Sequence, residues 1–240
     1  MDISKITRTV RNALPLKYCG AVIVAAGASS RMKGIDKVMA ELGGEPMLVR
    51  TVRAFDVCDA IREIVIVTRA ELLETVMDLC RSFSKVKTVV VGGADRAESV
   101  ENGIRALSDK VRLVAVQDGA RPLITNAVID RVVRAAHTYG AAVPAVPVKD
   151  TIKYTRGGMV QETPDRRFLQ AIQTPQAFDL DLLSGALQKA RQDKAVITDD
   201  ASAVERLGMS VKVVEGDERN IKITTPMDLQ IAAQLLEETQ

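Results

Sequence analysis

Two short segments of the chain combine small residues with charges that suit phosphate groups. The first runs Ala25-Ala26-Gly27-Ala28-Ser29-Ser30-Arg31-Met32 and is followed closely by Lys37. Small residues let the backbone approach a ligand, and successive backbone N–H groups form a nest for anions. Arg31 and Lys37 add a guanidinium fork and a point charge. The alternative is a plain strand-to-helix turn with solvated cations, since the glycine patterns of dinucleotide and Walker-type sites do not occur here.

The second segment, Gln117-Asp118-Gly119-Ala120-Arg121-Pro122, ends an apolar run with a carboxylate. Mg²⁺ needs few protein carboxylates because phosphate oxygens and water complete its octahedron, so Asp118 is a candidate magnesium ligand. The alternatives are a simple turn at Asp118-Gly119 and, for Arg121, a salt bridge that holds the loop.

Several further motifs are each explained as well by a helix cap, a turn or an exposed strand residue as by a ligand. The single histidine, His137, has no Cys or His neighbours in the sequence and is interpreted as a surface or half-buried residue; without it no Ser-His-Asp or Cys-His site can be built. The motifs are Gly92-Gly93-Ala94-Asp95-Arg96-Ala97-Glu98-Ser99, Asp150-Thr151, Gln173-Thr174-Pro175-Gln176, Thr198-Asp199-Asp200-Ala201-Ser202 and Asn220-Ile221-Lys222-Ile223-Thr224.

Composition excludes several classes of protein. The 240 residues carry 33 Lys+Arg against 31 Asp+Glu, so the net field of +2 attracts no polyanion, and the absence of Trp leaves little for base stacking. We therefore predict no nucleic-acid partner. The longest apolar run, residues 20–28, is too short to span a membrane. Three cysteines without a CxxC pair indicate a reducing compartment, and we predict a cytoplasmic enzyme.

Strands alternating with helices predict an α/β fold: a doubly wound, mostly parallel sheet with its ligand site off the carboxyl ends of the strands. A helical apolar stripe is predicted between Glu71 and Phe83, and Thr225-Pro226 is a cap followed by a first-turn proline before a C-terminal helix. The strand predictions are continuous apolar, β-branched runs, at Ala21–Ala26, Glu63–Thr68, Lys87–Val91, Arg112–Gln117 and Ala141–Val146.

One segment breaks this rhythm. Within residues 148–174, Gly157-Gly158 separates two polar arms that can form strands, which predicts a hairpin. Because an isolated hairpin is marginally stable, we expect this β-arm to pack on a partner subunit; a mobile surface excursion is the alternative. The chain is thus divided into an N-terminal tail, residues 1–17, and a single domain, residues 18–240.

Taken together and in order, the segments AAGASSRM, Lys37, GGADRAESV, QDGARP, VKDT, DRR, QTPQ, TDDAS and NIKIT resemble the 2-C-methyl-D-erythritol 4-phosphate cytidylyltransferase family over nearly the whole chain. The resemblance implies a Rossmann-like nucleotidyltransferase sheet with a protruding β-arm and a homodimer built through that arm. It also implies transfer of CMP from CTP to 2-C-methyl-D-erythritol 4-phosphate, with Mg²⁺ as cofactor, in non-mevalonate isoprenoid synthesis.

The resemblance further implies a role for each matching residue. Arg31 and Lys37 would stabilise the transition state, and Lys222 would neutralise substrate and triphosphate charge. Thr151 and Arg166 would reach the acceptor phosphate from the neighbouring subunit's arm, with Thr198 and Lys222 completing the acceptor pocket; Arg166 is counted with the catalytic set. The implied nucleotide site comprises Ala25, Ala26, Gly27, Gly93, Ser99, Lys222 and the metal-holding Asp118.

The chain departs from the family pattern at three places: Asp36 precedes Lys37 where proline is common, Gln117 precedes Asp118 where histidine is common, and Gln170 stands where tryptophan is common. None of these removes a charge that the chemistry requires. Two other functions remain open from the sequence, a ribitol 5-phosphate cytidylyltransferase of teichoic acid synthesis and a non-catalytic nucleotide-binding relative.

Overall fold

The computed structural model describes residues 15–27 and 38–238. Residues 1–14 of the tail therefore lie outside the described residues, and so do Arg31, Asp36 and Lys37. The strands are β1 (Cys19–Val24), β2 (Glu41–Leu42), β3 (Glu45–Pro46), β4 (Glu63–Thr68), β5 (Val86–Val91), β6 (Leu113–Asp118), β7 (Ala141–Pro147), β8 (Tyr154–Arg156), β9 (Met159–Glu162), β10 (Gln170–Ile172), β11 (Gln176–Asp179) and β12 (Lys212–Glu215).

The α-helices alternate with these strands along most of the chain, as the sequence predicts. The helix expected from Glu71 begins as a 3₁₀ turn, Ala70–Leu72, before it becomes α-helical. The helices are α1 (Met47–Asp56), α2 (Leu73–Cys80), α3 (Arg96–Arg105), α4 (Asn126–Tyr139), α5 (Leu180–Gln192), α6 (Asp200–Arg206) and α7 (Pro226–Glu237).

The central strands are buried on both faces, which is why their sequences are continuous apolar runs. Along β4, Ile64 and Ile66 pack into the core beneath α1, α2 and α4. Their neighbours Val65 and Val67 point the other way, into the core beneath α3, α5 and α6. Strands β1 and β6 alternate in the same manner. The sheet is thus the middle layer of three.

The main sheet has the order β10-β7-β11-β6-β1-β4-β5, with β12 paired to β7. The pairs of β1 with β4 and β6, and of β4 with β5, are parallel. Strand β11 is antiparallel to both of its neighbours, and β10 is antiparallel to β7. The fold is therefore the predicted α/β, mostly parallel sheet, with antiparallel strands at one end that the sequence did not predict.

Strands β8 and β9 form the predicted hairpin. Gly157 and Gly158 both have positive φ (58° and 78°), a backbone region that favours glycine and suits a two-residue hairpin turn. Within residues 148–174, the last strand, β10, belongs to the main sheet. The hairpin itself is exposed on every residue, and its apolar side chains include Tyr154, Met159 and Val160.

A small third core joins the C-terminal helix to the segment before α1. Ala232 of α7 packs with Ile223, Leu42 and Met47, all of them buried. Thr225 caps α7 as the sequence predicts, because its side chain accepts a hydrogen bond from the Asp228 backbone. This core holds segment 220–224 beside the loop that follows β6. His137, in contrast to the sequence interpretation, is buried in α4.

Candidate active site

A cavity of about 330 Å³ lies off the carboxyl ends of β1, β5 and β6. After β1 the chain crosses to β4 on one side of it, and the later strand β6 pairs on the other side. The order of strands therefore reverses at β1, and open α/β sheets bind ligands at such a point. Each of the three strand ends supplies one wall of the cavity.

The walls after β1 and β5 are built from small residues, and short hydrogen bonds hold their backbone in place. Ala25 N–H donates to the Val67 carbonyl at 2.7 Å, which keeps the loop close to the sheet. Gly93 N–H donates to Ser99 Oγ at 3.0 Å, and Ser99 Oγ donates to the Asp95 carbonyl at 2.8 Å. A Cβ on Gly93 would meet the Glu98 side chain at 2.2 Å, so glycine is required there. This wall therefore presents backbone and small side chains to the cavity.

Asp118 stands at the third wall among three cationic side chains. Lys222 Nζ lies 2.8 Å from its Oδ2, Arg121 Nε lies 3.7 Å from the same oxygen, and Arg96 Nη2 lies 3.7 Å from Oδ1. Burial alone would raise the pKa of Asp118, but Lys222 and Arg96 outweigh it and hold the pKa below its ordinary value. Asp118 is therefore a carboxylate at neutral pH.

Lys222 is aimed into the cavity by a buried network of hydrogen bonds. Arg121 Nη1 donates to the Asn220 carbonyl at 2.6 Å, and Ile223 N–H donates to the Ala120 carbonyl at 2.9 Å. Asn220, fully buried, donates through Nδ2 to the Thr174 carbonyl at 2.9 Å. The loop that carries Lys222 is thus tied on both sides of the lysine to the loop that carries Asp118.

The structure brings together every described residue that the sequence placed at the nucleotide. All seven line this one cavity: Ala25, Ala26, Gly27, Gly93, Ser99, Asp118 and Lys222. Arg31 and Lys37, the implied transition-state residues, lie outside the described residues.

The other acceptor-site predictions fall elsewhere in this single chain. Thr198 lines a second, adjoining cavity of about 450 Å³. Thr151 and Arg166 are exposed at the base of the β-arm and line neither cavity; Arg166 Nη1 donates to the Lys149 carbonyl at 3.0 Å. The structure therefore does not gather Thr151 and Arg166 with Lys222 inside one subunit.

Two of the three family departures can be located. Gln117 is fully buried on β6, where its Nε2 donates to the Arg121 carbonyl at 3.4 Å. Gln170 is exposed at the start of β10. Neither side chain lines the nucleotide cavity.

Arg96 lines the nucleotide cavity and pairs with Asp200 behind it, and the sequence motifs that contain these two residues predict no role for either. Arg96 Nη2 donates to Asp200 Oδ2 at 2.8 Å, and 104 positions separate the two residues in the chain. Arg96 follows two glycines after a strand, and this sequence feature could have indicated a phosphate-binding residue. Its pairing with Asp200 could not be predicted, because only the folded chain brings the two residues together.

A doubly wound α/β sheet whose switch point holds a small-residue wall, a carboxylate and several cations is the arrangement of a nucleotidyltransferase, which must hold a base, a polyphosphate and its counter-ion. The comparisons with known proteins agree with that class. The family model for 2-C-methyl-D-erythritol 4-phosphate cytidylyltransferase matches residues 19–238. The chain belongs to this family.

Individual relatives carry the same name. The chain is 46% identical over 217 residues to the 2-C-methyl-D-erythritol 4-phosphate cytidylyltransferase of Caldanaerobacter subterraneus, covering 88% of this chain and 96% of that one. Identity is 47% over 219 residues to the protein of the same name from Symbiobacterium thermophilum, covering 90% and 92%.

Solved structures of this family have the same fold. The crystal structure of 4-diphosphocytidyl-2C-methyl-D-erythritol synthase from Anaerococcus prevotii superposes with a TM-score of 0.84 at 32% identity, covering 92% of this chain and 96% of that chain. Among the residues that the structure describes, no helix is both long and apolar enough to cross a lipid bilayer.

Proposed function

We propose that this chain transfers CMP from CTP to 2-C-methyl-D-erythritol 4-phosphate, giving 4-diphosphocytidyl-2-C-methyl-D-erythritol and pyrophosphate in isoprenoid precursor synthesis. Family membership over residues 19–238 supports the reaction. The observation that carries it at the level of the site is the cluster of Lys222, Arg96 and Arg121 around Asp118 at a cavity of about 330 Å³.

The cytosine end of CTP lies against the small-residue wall. Gly93 and Ser99 form a narrow, polar surface in which the Ser99 hydroxyl is already fixed by two hydrogen bonds. A wall of this kind selects by close backbone contact, since a larger base would meet the backbone and not a flexible side chain. The triphosphate then extends toward Lys222 and Arg96.

Asp118 is the residue that would hold a divalent cation. No group of three or more His, Cys, Asp or Glu side chains in residues 15–27 and 38–238 is placed to hold a metal by itself. A single charged carboxylate at the cavity wall fits Mg²⁺ that arrives with the triphosphate, because that ion keeps phosphate oxygens and water as ligands. When bound, the ion neutralises triphosphate charge and favours loss of pyrophosphate.

The reaction needs positioning and charge more than a base. An oxygen of the acceptor phosphate attacks the α-phosphorus of CTP and forms a new P–O–P bond. The bond from that phosphorus to the β-phosphate oxygen breaks, and pyrophosphate leaves with the electron pair. Lys222 stabilises the charge that builds on the phosphoryl oxygens, together with Arg31 and Lys37 as the family resemblance implies. No proton has to be removed from the acceptor.

This mechanism predicts a specific pH dependence. The second ionisation of a phosphate monoester lies near pH 6. Because the dianion is the nucleophile, kcat/KM for the acceptor should fall below about pH 6 and stay level above it, without a second ionisation from a protein base. The measurement is initial rate of pyrophosphate release from pH 5 to 9. A rising limb near pH 7 to 8 would require a catalytic base and contradict the mechanism.

The acceptor site is completed by a second subunit through the β-arm. The exposed positions of Thr151 and Arg166, and the exposed apolar side chains of β8 and β9, support this proposal. Tyr154, Met159 and Val160 supply an apolar surface at the arm that a partner would cover. A single chain would then lack part of its acceptor pocket.

Complementation between two defective subunits tests the shared site. Arg166→Ala and Lys222→Met each abolish a homodimer's sites, but a mixed dimer has one complete site, with Lys222 from one subunit and Arg166 from the other. Equal mixing with subunit exchange should restore about a quarter of wild-type activity, since half of the dimers are mixed. No recovery, with exchange verified by differently tagged subunits, would contradict the shared site.

A further inference from the structure

Arg96 is the first residue of α3 and reaches into the nucleotide cavity. The preceding residue, Asp95, caps the helix by accepting a hydrogen bond from Glu98 N–H at 2.8 Å. The position of Arg96 is therefore fixed at its backbone by the capped helix. Its side chain is only 31% exposed, so most of the guanidinium stem is packed against the protein.

The guanidinium of Arg96 is held by the side chain of Asp200, which has no other hydrogen-bond or ion-pair partner among the described residues. Asp200 is fully buried, and its Oδ2 accepts from Arg96 Nη2 at 2.8 Å. Its Oδ1 has no hydrogen-bond partner among the described residues. A buried carboxylate is costly unless it is paired, so Asp200 and Arg96 belong together. Asp200 itself lines neither cavity.

The place of Asp200 is set from the sheet. Gln176 of β11 accepts from Ala201 N–H at 3.0 Å through Oε1 and donates to Asp199 Oδ2 at 2.7 Å through Nε2. Two hydrogen bonds thus hold the start of α6 against a strand in the middle of the sheet. Asp200 is consequently a rigid anchor.

From this anchor, Arg96 faces Asp118 on the side away from Lys222. Its Nη2 is 3.7 Å from Asp118 Oδ1, whereas Lys222 lies 2.8 Å from Oδ2. Burial disfavours the charged form of Arg96, but Asp200 and Asp118 outweigh it and raise its pKa above the ordinary value. Arg96 is therefore a permanent cation between Asp118 and Asp200; burial raises the pKa of Asp200, and Arg96 acts against that rise.

We propose that Arg96 is a positioning residue of the nucleotide site: anchored by Asp200, it fixes the Asp118 carboxylate and thereby the place at which the triphosphate and its cation bind. The proposal rests on the proposed function, because Asp118 matters only if a nucleotide occupies the cavity. It gives the buried Asp200 an effect on CTP binding although that side chain does not reach the cavity.

A matched ion pair on the same helix provides the control. Glu101, one turn and a half further along α3, pairs with Arg191 of α5 at 2.6 Å. That pair also joins α3 to a neighbouring element, yet neither of its residues lines the nucleotide cavity. Both residues line the adjoining second cavity instead, and their side chains are more exposed than those of Arg96 and Asp200. Arg191→Met should therefore remove an ion pair of α3 without changing CTP binding.

The test is equilibrium dialysis of CTP against the full chain with Mg²⁺ and no acceptor, so that binding is measured without turnover. We expect Arg96→Met and Asp200→Asn each to weaken CTP binding by about tenfold or more. The double variant Arg96→Met/Asp200→Asn should bind no more weakly than Arg96→Met alone, because Asp200 acts through Arg96. Arg96→Lys, which keeps the charge but loses the fork, should fall between wild type and Arg96→Met.

Folding is followed separately by thermal unfolding of each variant. Arg96→Met leaves Asp200 buried and unpaired, so this variant is the one expected to fold least well. The double variant has no unpaired buried charge, so its CTP binding can be measured even if Arg96→Met does not fold. Wild-type CTP binding by Asp200→Asn, or losses that multiply in the double variant, would overturn the proposal. Absence of CTP binding by the wild-type chain would instead overturn the proposed function.

Discussion

Replacement of Lys222 by methionine separates the chemistry of the site from the stability of the fold. The side chain is 41% exposed, and its partner Asp118 also has Arg96 and Arg121 at 3.7 Å, two cations that the substitution leaves in place. An ion pair with so exposed a partner contributes at most about 1 kcal/mol to stability. For a domain of this size that corresponds to a fall in Tm of no more than about 4 °C.

The expected loss of activity is much larger. Lys222 is the cation nearest to Asp118 among the described side chains, and it projects into the cavity where the triphosphate charge must be stabilised. Removing one preorganised charge-stabilising group from a reacting site costs about 2.7–4 kcal/mol, or 10²–10³ in kcat. Loss of Lys222 also removes the largest of the interactions that lower the Asp118 pKa, but Arg96 and Arg121 remain beside the carboxylate.

The assay is steady-state pyrophosphate release, with kcat and both KM values measured beside the Tm of the same preparation. Lys189→Met is the control, since Lys189 pairs with Asp193 at 2.6 Å on α5 but lies away from the cavity. A Lys222→Met enzyme with kcat within threefold of wild type would refute the reasoning. A large fall in Tm would show that the lysine holds the fold instead.

Three further predictions concern stability and reactivity. Gly103→Ala should lower Tm by roughly 3–10 °C, because a Cβ there would lie 2.4 Å from Val22 Cγ1 in the packed helix–sheet interface; an unchanged Tm in a thermal scan would contradict this. Burial alone would raise the pKa of Asp228, but hydrogen bonds from Thr224 and Thr225 hold this pKa below its ordinary value. The stabilisation of the folded state by the Asp228 carboxylate is therefore complete above about pH 4, and it is lost as the pH falls through the lowered pKa of the folded state. Urea unfolding should therefore show Asp228→Asn less stable at pH 7 and the two proteins converging below about pH 4, whereas a constant difference would argue against the cap. The three cysteines are free and buried, and burial raises the pKa of Cys80 to about 11, so 5,5′-dithiobis(2-nitrobenzoate) at pH 7.5 should label none of them until urea is added; rapid native labelling would contradict their burial.

The parallel part of the fold was predictable because burial on two faces leaves a direct mark on sequence. Strand β4 has the predicted bounds, and β7 differs from its prediction by one residue. The Gly157-Gly158 turn was equally clear, since a hairpin of this kind needs positive φ at both positions. These sequence patterns are local, because each of these elements can be recognised from its own residues alone.

The antiparallel end of the sheet was not predictable for the opposite reason. Strand β11 has four residues, and it is a strand because β6 and β7 pair with it from both sides. Strand β12, which pairs parallel to β7 at the same end of the sheet, is likewise short and mostly exposed. Segments of this length have no distinguishing period, so only the completed sheet defines them.

The site, like the fold, has a part that the sequence predicts and a part that it does not. Its residue types were visible in the sequence because small residues and charges at strand ends indicate phosphate binding. The ion pair of Arg96 with Asp200 was not visible, because each residue has an adequate local explanation and only the packing of α6 against β11 brings them together. The departure at Gln117 is also clarified, since that side chain turns into the core and away from the cavity.

The central claim is tested most directly by pyrophosphate release from CTP and Mg²⁺, measured in parallel with 2-C-methyl-D-erythritol 4-phosphate and with D-ribitol 5-phosphate as acceptors. We predict release with the methylerythritol phosphate alone. Release with ribitol phosphate alone would keep the fold and the chemistry but contradict the substrate. If protein that binds CTP released no pyrophosphate with either acceptor, the assignment as a cytidylyltransferase would be contradicted.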